Sequence, residues 1–283
     1  MAKFVFSAFA DEITSDFNGQ LEALERLGIP LLELRGVDGQ NFTLLDDKQI
    51  DEVHKKLFAH KIGLSALGSP IGKITTGDDF DAHLRLFERI MDIGERLECR
   101  RIRMFSFYRG EGMTDEAHER EVFSRIEKLL EKSEKRGFVL CHENEKDIYG
   151  DSPQNERKLL ERFGGRLRAV LDCGNFAFCG MDASPAYALM KDYLEYMHIK
   201  DADENGVIVP PGLGVAGIRD TLAAIDRDFS GEMIITMEPH LMMFTGLDKL
   251  SKLDDIRHKY SFATPYEAFE TAVDAVRDML AHL

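Results

Sequence analysis

A chain of 283 residues that is 44% hydrophobic and 31% charged has the makeup of a folded globular protein, which excludes the disordered and fibrous classes. Its formal net charge of −15 sets the average surface field against phosphate backbones and anionic bilayers, so neither nucleic acid nor a membrane is expected as a partner. The length is large for an ordinary domain but suits one closed α/β barrel of ~250 residues, and residues 1–283 are read as a single domain.

The first apolar run, residues 4–10, is ended by Asp11 and Glu12 before any cleavage-type region, so it reads as a strand of a cytoplasmic protein rather than a signal peptide. No apolar run approaches the ~20 residues that span a bilayer. Cys99, Cys141, Cys173 and Cys179 lack zinc-type spacing and read as reduced thiols serving as small apolar residues.

In chain order, residues 4–9 form a strand, Thr14 and Ser15 are candidate caps, and Phe17, Leu21, Leu24 and Leu27 mark a helix that Gly28 ends. Residues 31–34 give a second strand, followed by a helix carrying Ile50, Val53 and Leu57. Residues 61–67 (KIGLSAL) give a third, then the loop GSPIGK and a helix with Phe80, Leu84, Phe87 and Met91. Residues 101–107 (RIRMFSF) are a fourth strand, and Val122, Ile126, Leu129 and Leu130 stripe its helix.

The fifth strand, residues 138–144 (FVLCHEN), runs apolar from Gly137 and ends in ionisable side chains. Its helix starts at Ser152-Pro153, a cap followed by proline at the first helical position, and Ser184-Pro185 repeats that start one unit later. Residues 168–171 (RAVL), 193–197 (YLEYM) and 233–237 (MIITM) supply the last three strands. Ile218, Leu222 and Ile225 mark the seventh helix, and Thr264-Pro265-Tyr266-Glu267 opens the eighth with a capping box. Strict strand–helix alternation with no G-x-G-x-x-G after the first strand predicts a (β/α)8 TIM barrel rather than an open doubly wound sheet.

Four consecutive apolar strands end on Glu143, Asp172, His198 and Glu238. One acid after a strand is ordinarily a helix cap or a solvated loop residue. Four on neighbouring strand ends of one barrel would converge at its mouth and point to a single metal site. Two glutamates, an aspartate and a histidine form a hard, oxygen-rich set, which suits Mn2+ first, with Mg2+, Co2+ or Zn2+ as alternatives. Glu143 and Glu238 could then remove and return a proton through a metal-stabilised enediolate, an isomerase or epimerase geometry.

The motifs HEN at Glu143, DCGNF at Asp172, HIKD at His198 and MEPH at Glu238 resemble the xylose-isomerase-like barrel superfamily of sugar phosphate isomerases and epimerases. So do ADEI, LELRG, GSPIGK and RMFSF in the N-terminal half. The resemblance implies that Glu143, Asp172, His198 and Glu238 bind one divalent ion, with the two glutamates as acid–base pair. It also implies a substrate contact at Asn175, where ketose epimerases of the superfamily often place a histidine.

Lys200 is a further candidate for a substrate oxygen, with an ion pair to Asp201 as its alternative. Arg35, Arg103 and Lys73 are candidates for a substrate phosphate or carboxylate, with ion pairs to acids such as Asp11 or Glu33 as theirs. His142 should turn away from the barrel axis, and His240 is a candidate pocket wall. Where relatives carry a G-E-G loop this chain has Pro211-Gly212-Leu213-Gly214-Val215-Ala216, and the long stretch 241–263 is a candidate lid.

The expected partner is a small sugar, sugar phosphate or polyol, and a homo-oligomer is compatible with everything above. The rival functions are a lyase like the inosose dehydratases and a sugar-binding protein of this fold without turnover. Endonuclease action at abasic sites is disfavoured, because Asn175 replaces a histidine and no histidine precedes His83 in the third loop.

Overall fold

The computed structural model describes residues 1–181, 183–242 and 260–283. Eight parallel strands carry the fold: β1 (Ala2–Ala8), β2 (Leu31–Leu34), β3 (Gly63–Leu67), β4 (Arg101–Met104), β5 (Val139–Glu143), β6 (Leu167–Asp172), β7 (Leu194–Ile199) and β8 (Gly231–Met237). They pair in the order β1-β8-β7-β6-β5-β4-β3-β2, every pair parallel. The end strands β1 and β2 lie side by side, which brings the sheet round into a nearly closed barrel. The predicted (β/α)8 architecture is the one observed.

Among the described residues, eight helices pack round the strands: α1 (Phe17–Leu27), α2 (Asp47–His60), α3 (Phe80–Arg96), α4 (Asp115–Lys135), α5 (Pro153–Phe163), α6 (Ala183–Met190), α7 (Ile218–Asp228) and α8 (Pro265–Ala281), with one more short helix at the barrel mouth. Their apolar stripes, among them Leu24, Val53, Phe87, Ile126, Leu160, Leu222 and Val276, are buried against the outer faces of the strands. A separate inner cluster, Ala66, Cys141, Val170 and Tyr196 with Val139 and Ile234, fills the barrel. Side chains alternate across a strand, so the next inward positions above Cys141, Val170 and Tyr196 are Glu143, Asp172 and His198. An apolar plug thus forms the floor beneath the ionisable layer.

Several local expectations shift. The cap of α1 is Asp16, whose carboxylate accepts from the Gly19 N–H at 2.6 Å, because a 3-10 turn at Ala10–Glu12 delays the helix. Thr14 instead accepts the Asp16 N–H. α6 begins at Ala183, so Ser184 and Pro185 lie inside its first turn, and an unforeseen helix at Cys173–Phe178 precedes it. At α8, Thr264 accepts from the Glu267 N–H, but the Glu267 carboxylate reaches Ala263 rather than Thr264, so the box is half made.

β4 ends three residues early because residues 105–107 pair with the loop after β3: Phe105 N–H donates to Ile71 and Phe107 N–H to Gly72. Gly72 has a φ of +89°, and a Cβ there would lie 1.9 Å from the Phe105 carbonyl oxygen, so this approach demands glycine. The candidate lid 241–263 falls largely outside the described residues. Among those described, no helix is long and apolar enough to cross a membrane.

Candidate metal centre

The four strand-end residues meet. One ligand atom from each of Glu143, Asp172, His198 and Glu238 lies within 4.8 Å of all the others, and all four side chains are buried. His198 Nδ1 sits 3.2 Å from Glu143 Oε1, 3.4 Å from Glu238 Oε2 and 3.9 Å from Asp172 Oδ2. Glu143 Oε2, Asp172 Oδ2, His198 Nδ1 and Glu238 Oε2 are buried polar atoms that make no well-aligned hydrogen bond. Buried polar atoms are rarely left so, and four on one centre are what a cation would satisfy. The cluster could therefore hold a metal ion.

Backbone locks bring these side chains to this geometry. Asn144, one residue past β5, accepts the Asp172 N–H and donates to the Asp172 carbonyl, both at 2.9 Å, which ties the ends of β5 and β6 together. Asp172 also caps the helix Cys173–Phe178 by accepting the Asn175 N–H at 2.9 Å. The cap role and the place in the cluster coexist because each uses a different oxygen. Asn175 donates its amide to Glu143 Oε1 at 3.2 Å and to the Asn144 carbonyl at 2.8 Å.

The cations around the cluster are engaged by its acids. Arg103 contacts Glu143 Oε2 at 3.1 Å. Arg35 donates to Glu238 at 2.8 Å, to both oxygens of Asp11 at 2.9 and 3.0 Å, and to Glu12 at 3.3 Å. Both guanidinium groups stack on Phe9, whose ring meets His198 edge-on at 5.3 Å. Lys73 pairs with Glu145 at 3.0 Å over the Phe105 ring. These contacts match the ion-pair alternative for the three residues, although the acids differ from those expected except for Asp11.

Lys200 does not pair with Asp201. Its ammonium lies 2.9 Å from Asp172 and 3.5 Å from Glu238, and Gly174 lets its stem pass, since a Cβ there would come within 2.8 Å of Lys200. Asp201 instead accepts from the N–H groups of Ala202, Gly212, Gly214 and Ala216. The loop lacking the G-E-G acid is therefore anchored by the last residue of HIKD. His240 approaches Glu12 at 3.3 Å and Glu238 at 3.4 Å, beside the cluster. His142 does point outward, onto Glu156 of α5 at 2.7 Å.

Charge explains the electrostatics. Six buried carboxylates, Asp11, Glu12, Glu33, Glu143, Asp172 and Glu238, face three permanent cations, Arg35, Arg103 and Lys200. Burial, with Glu143 and Glu238 nearby, lifts Asp172 to about 7 against the pull of Lys200. Burial likewise lifts Glu12 to about 8. Burial also penalises the charged form of Glu143, but the His198 and Arg103 charges outweigh it and hold the carboxyl at about 2. Glu238 is held well below the usual range against its burial, chiefly by Lys200 and His198. Surplus negative charge at one buried point is what a divalent cation would neutralise.

Sequence reasoning passed over Glu12, Asn144 and Tyr196, and treated Glu33 only as an arginine partner. Glu33 and Tyr196 carried a signal, being polar groups at inward positions of otherwise apolar strands, the latter two residues before His198.

Comparison with known proteins agrees with the barrel. A family model described as xylose isomerase-like TIM barrel matches residues 21–254. The chain belongs to that family. No curated protein sequence matches it significantly.

Among solved structures of this barrel, D-allulose 3-epimerase from Methylomonas sp. superposes with a TM-score of 0.76 at 14% identity, covering 99% of this chain and 100% of that one. A probable 3-DHS dehydratase, AsbF from Bacillus anthracis, gives 0.73 at 12% identity, covering 98% and 99%. The IolI protein with a bound zinc atom gives 0.75 at 16% identity, covering 99% and 98%. At these identities the likeness establishes the fold alone.

Proposed function

We propose that this chain is a divalent-metal-dependent isomerase or epimerase acting on a sugar, a sugar phosphate or a related polyol ketone. The observation that carries the reading is the convergence of four buried ligand-type atoms from Glu143, Asp172, His198 and Glu238, none of which makes a well-aligned hydrogen bond. The oxygen-rich donor set favours Mn2+, with Mg2+, Co2+ or Zn2+ as substitutes. A bound ion of this kind would polarise the carbonyl of a hydroxy-carbonyl substrate and acidify the neighbouring C–H. Sugar epimerases among the structural neighbours support the substrate class.

Glu143 and Glu238 are the acid–base pair, one taking the proton from carbon and the other returning it. Both carboxyls are held low, so each enters the reaction ionised. Arg103 and Asn175 fix Glu143, and Arg35 and His240 fix Glu238, which keeps each base in place during transfer. Lys200 and Asn175 are assigned to substrate oxygens, and Lys73 to the rim. The same reading takes residues 1–283 as one catalytic domain working in the cytoplasm.

A dehydratase is the second reading. Lys200, fixed against Asp172 and Glu238, is a cation suited to a departing hydroxyl, and AsbF is a probable dehydratase on the same barrel. Incubating the Mn2+-loaded protein with a panel of sugars and inososes in deuterated water separates the readings. Deuterium at the carbon beside the carbonyl without loss of water is the expected result. A dehydrated product selects the second reading, and neither exchange nor turnover at full metal occupancy overturns both.

A further inference from the structure

Glu33 is a fully buried carboxylate inside the barrel, on a strand that ends in neither a cluster ligand nor a catalytic group. Burying such a group is costly unless its oxygens are hydrogen-bonded. Both are. Oε1 accepts from the Tyr196 hydroxyl at 2.9 Å, and Oε2 lies 3.0 Å from His198 Nε2. Tyr196 and His198 are successive inward residues of β7, so one carboxylate from β2 grips two rungs of the ligand-bearing strand.

A carboxylate only accepts, so the imidazole must present an Nε2–H to Glu33. Nδ1 is then the nitrogen turned toward Glu143, Glu238 and Asp172. The ring is also braced by Phe9, edge-on at 5.3 Å, and by Tyr196, tilted at 5.5 Å.

We propose that Glu33 is a positioning residue which, together with Tyr196, selects Nδ1 of His198 as the nitrogen offered to a metal ion and strengthens it as a donor. This rests on the metal reading above. Carboxylates that orient a ligating histidine raise its basicity, and losing such a partner typically weakens metal binding by about 10- to 100-fold.

The test has two arms that fail separately. In metal-free protein labelled with 15N-histidine, the His198 Nε2–H should give a slowly exchanging, strongly downfield proton, assigned by its loss in His198→Gln. It should shift or vanish in Glu33→Gln. Absence of that signal from the wild type overturns the positioning role whether or not any metal binds.

In calorimetric Mn2+ titrations, Glu33→Gln should weaken binding about 10- to 100-fold, and Tyr196→Phe should weaken it less. In a His198→Gln background the Glu33 substitution should have little further effect, a coupling that a merely structural role would not show. Glu195→Gln, which disturbs the Arg101 and Arg168 ion pairs on β7 away from the cluster, should leave Mn2+ affinity unchanged. Unaltered affinity in Glu33→Gln, or equal losses in both backgrounds, overturns the proposal. Failure of the wild type to bind Mn2+ sinks the metal reading, and the proton signal still decides the orientation of His198.

Discussion

Replacing Asp172 by asparagine should weaken the metal site and strengthen the metal-free protein at once. The substitution keeps the shape and the Oδ1 acceptor that caps the following helix, so the ~1 kcal/mol contribution of the cap is retained. What it removes is a negative charge that burial and two neighbouring glutamates disfavour. Lifting this carboxyl from 3.8 to about 7 corresponds to about 4 kcal/mol in favour of its neutral form.

The sign follows from proton linkage. The folded state holds this proton more tightly than the unfolded chain, so wild-type stability falls as the pH rises from about 4 to about 7, and the loss is complete above that. The asparagine variant, having no proton to lose at this position, escapes it. At pH 8 with EDTA present, Asp172→Asn should melt higher by up to roughly 8 °C, taking about 2 °C per kcal/mol for a chain of this size. Near pH 4 the two proteins should melt together.

Mn2+ should narrow the gap. Ion at 1,000 times its Kd stabilises the wild type by about 4.1 kcal/mol, enough to bring the two melting points together, and the variant, lacking one of the four side chains, should gain much less. Scanning calorimetry at pH 4, 6 and 8, with EDTA or Mn2+, reads all of this. A metal-free variant that melts below the wild type at pH 8 would refute the claim that the cluster holds surplus negative charge.

Mn2+ affinity of the wild type should rise with pH, through about 7 and beyond it, because Asp172 and His198, whose pKa Glu143 and Glu33 hold well above the usual histidine range against its burial, must each lose a proton to bind; isothermal titration in buffers of different ionisation enthalpy would show the released protons. Asp201→Ala removes the acceptor of four backbone N–H groups and should cost about 3 kcal/mol, with faster hydrogen exchange at Gly212, Gly214 and Ala216. Unchanged exchange there would show that another group anchors the loop. Gly72→Ala places a Cβ against the Phe105 carbonyl at a positive φ and should cost at least about 3 kcal/mol in urea unfolding, whereas a fully tolerated alanine would contradict the close approach.

The barrel was legible because alternation and helical spacing are local patterns that the closed sheet enforces. Gly28, Ser152-Pro153 and the stripe Val122, Ile126, Leu129 fall where the sequence puts them. The convergence of Glu143, Asp172, His198 and Glu238 was legible for the same reason, since each is an inward residue at the end of an apolar run. What escaped depends on contacts between distant residues. Arg35 meets Glu238 across the closure of the barrel, 203 residues away in sequence, and Lys200 passes over its neighbour Asp201 to reach Asp172. The early end of β4 belongs to the same class, because the loop that captures residues 105–107 comes from the preceding unit.

The account stands on one cation held by four strand ends. Anomalous diffraction at the manganese edge from crystals soaked in Mn2+ tests it directly. It predicts a single strong peak coordinated by Glu143, Asp172, His198 through Nδ1, and Glu238. No peak at saturating Mn2+, or a peak elsewhere that leaves these four side chains uncoordinated, would contradict it.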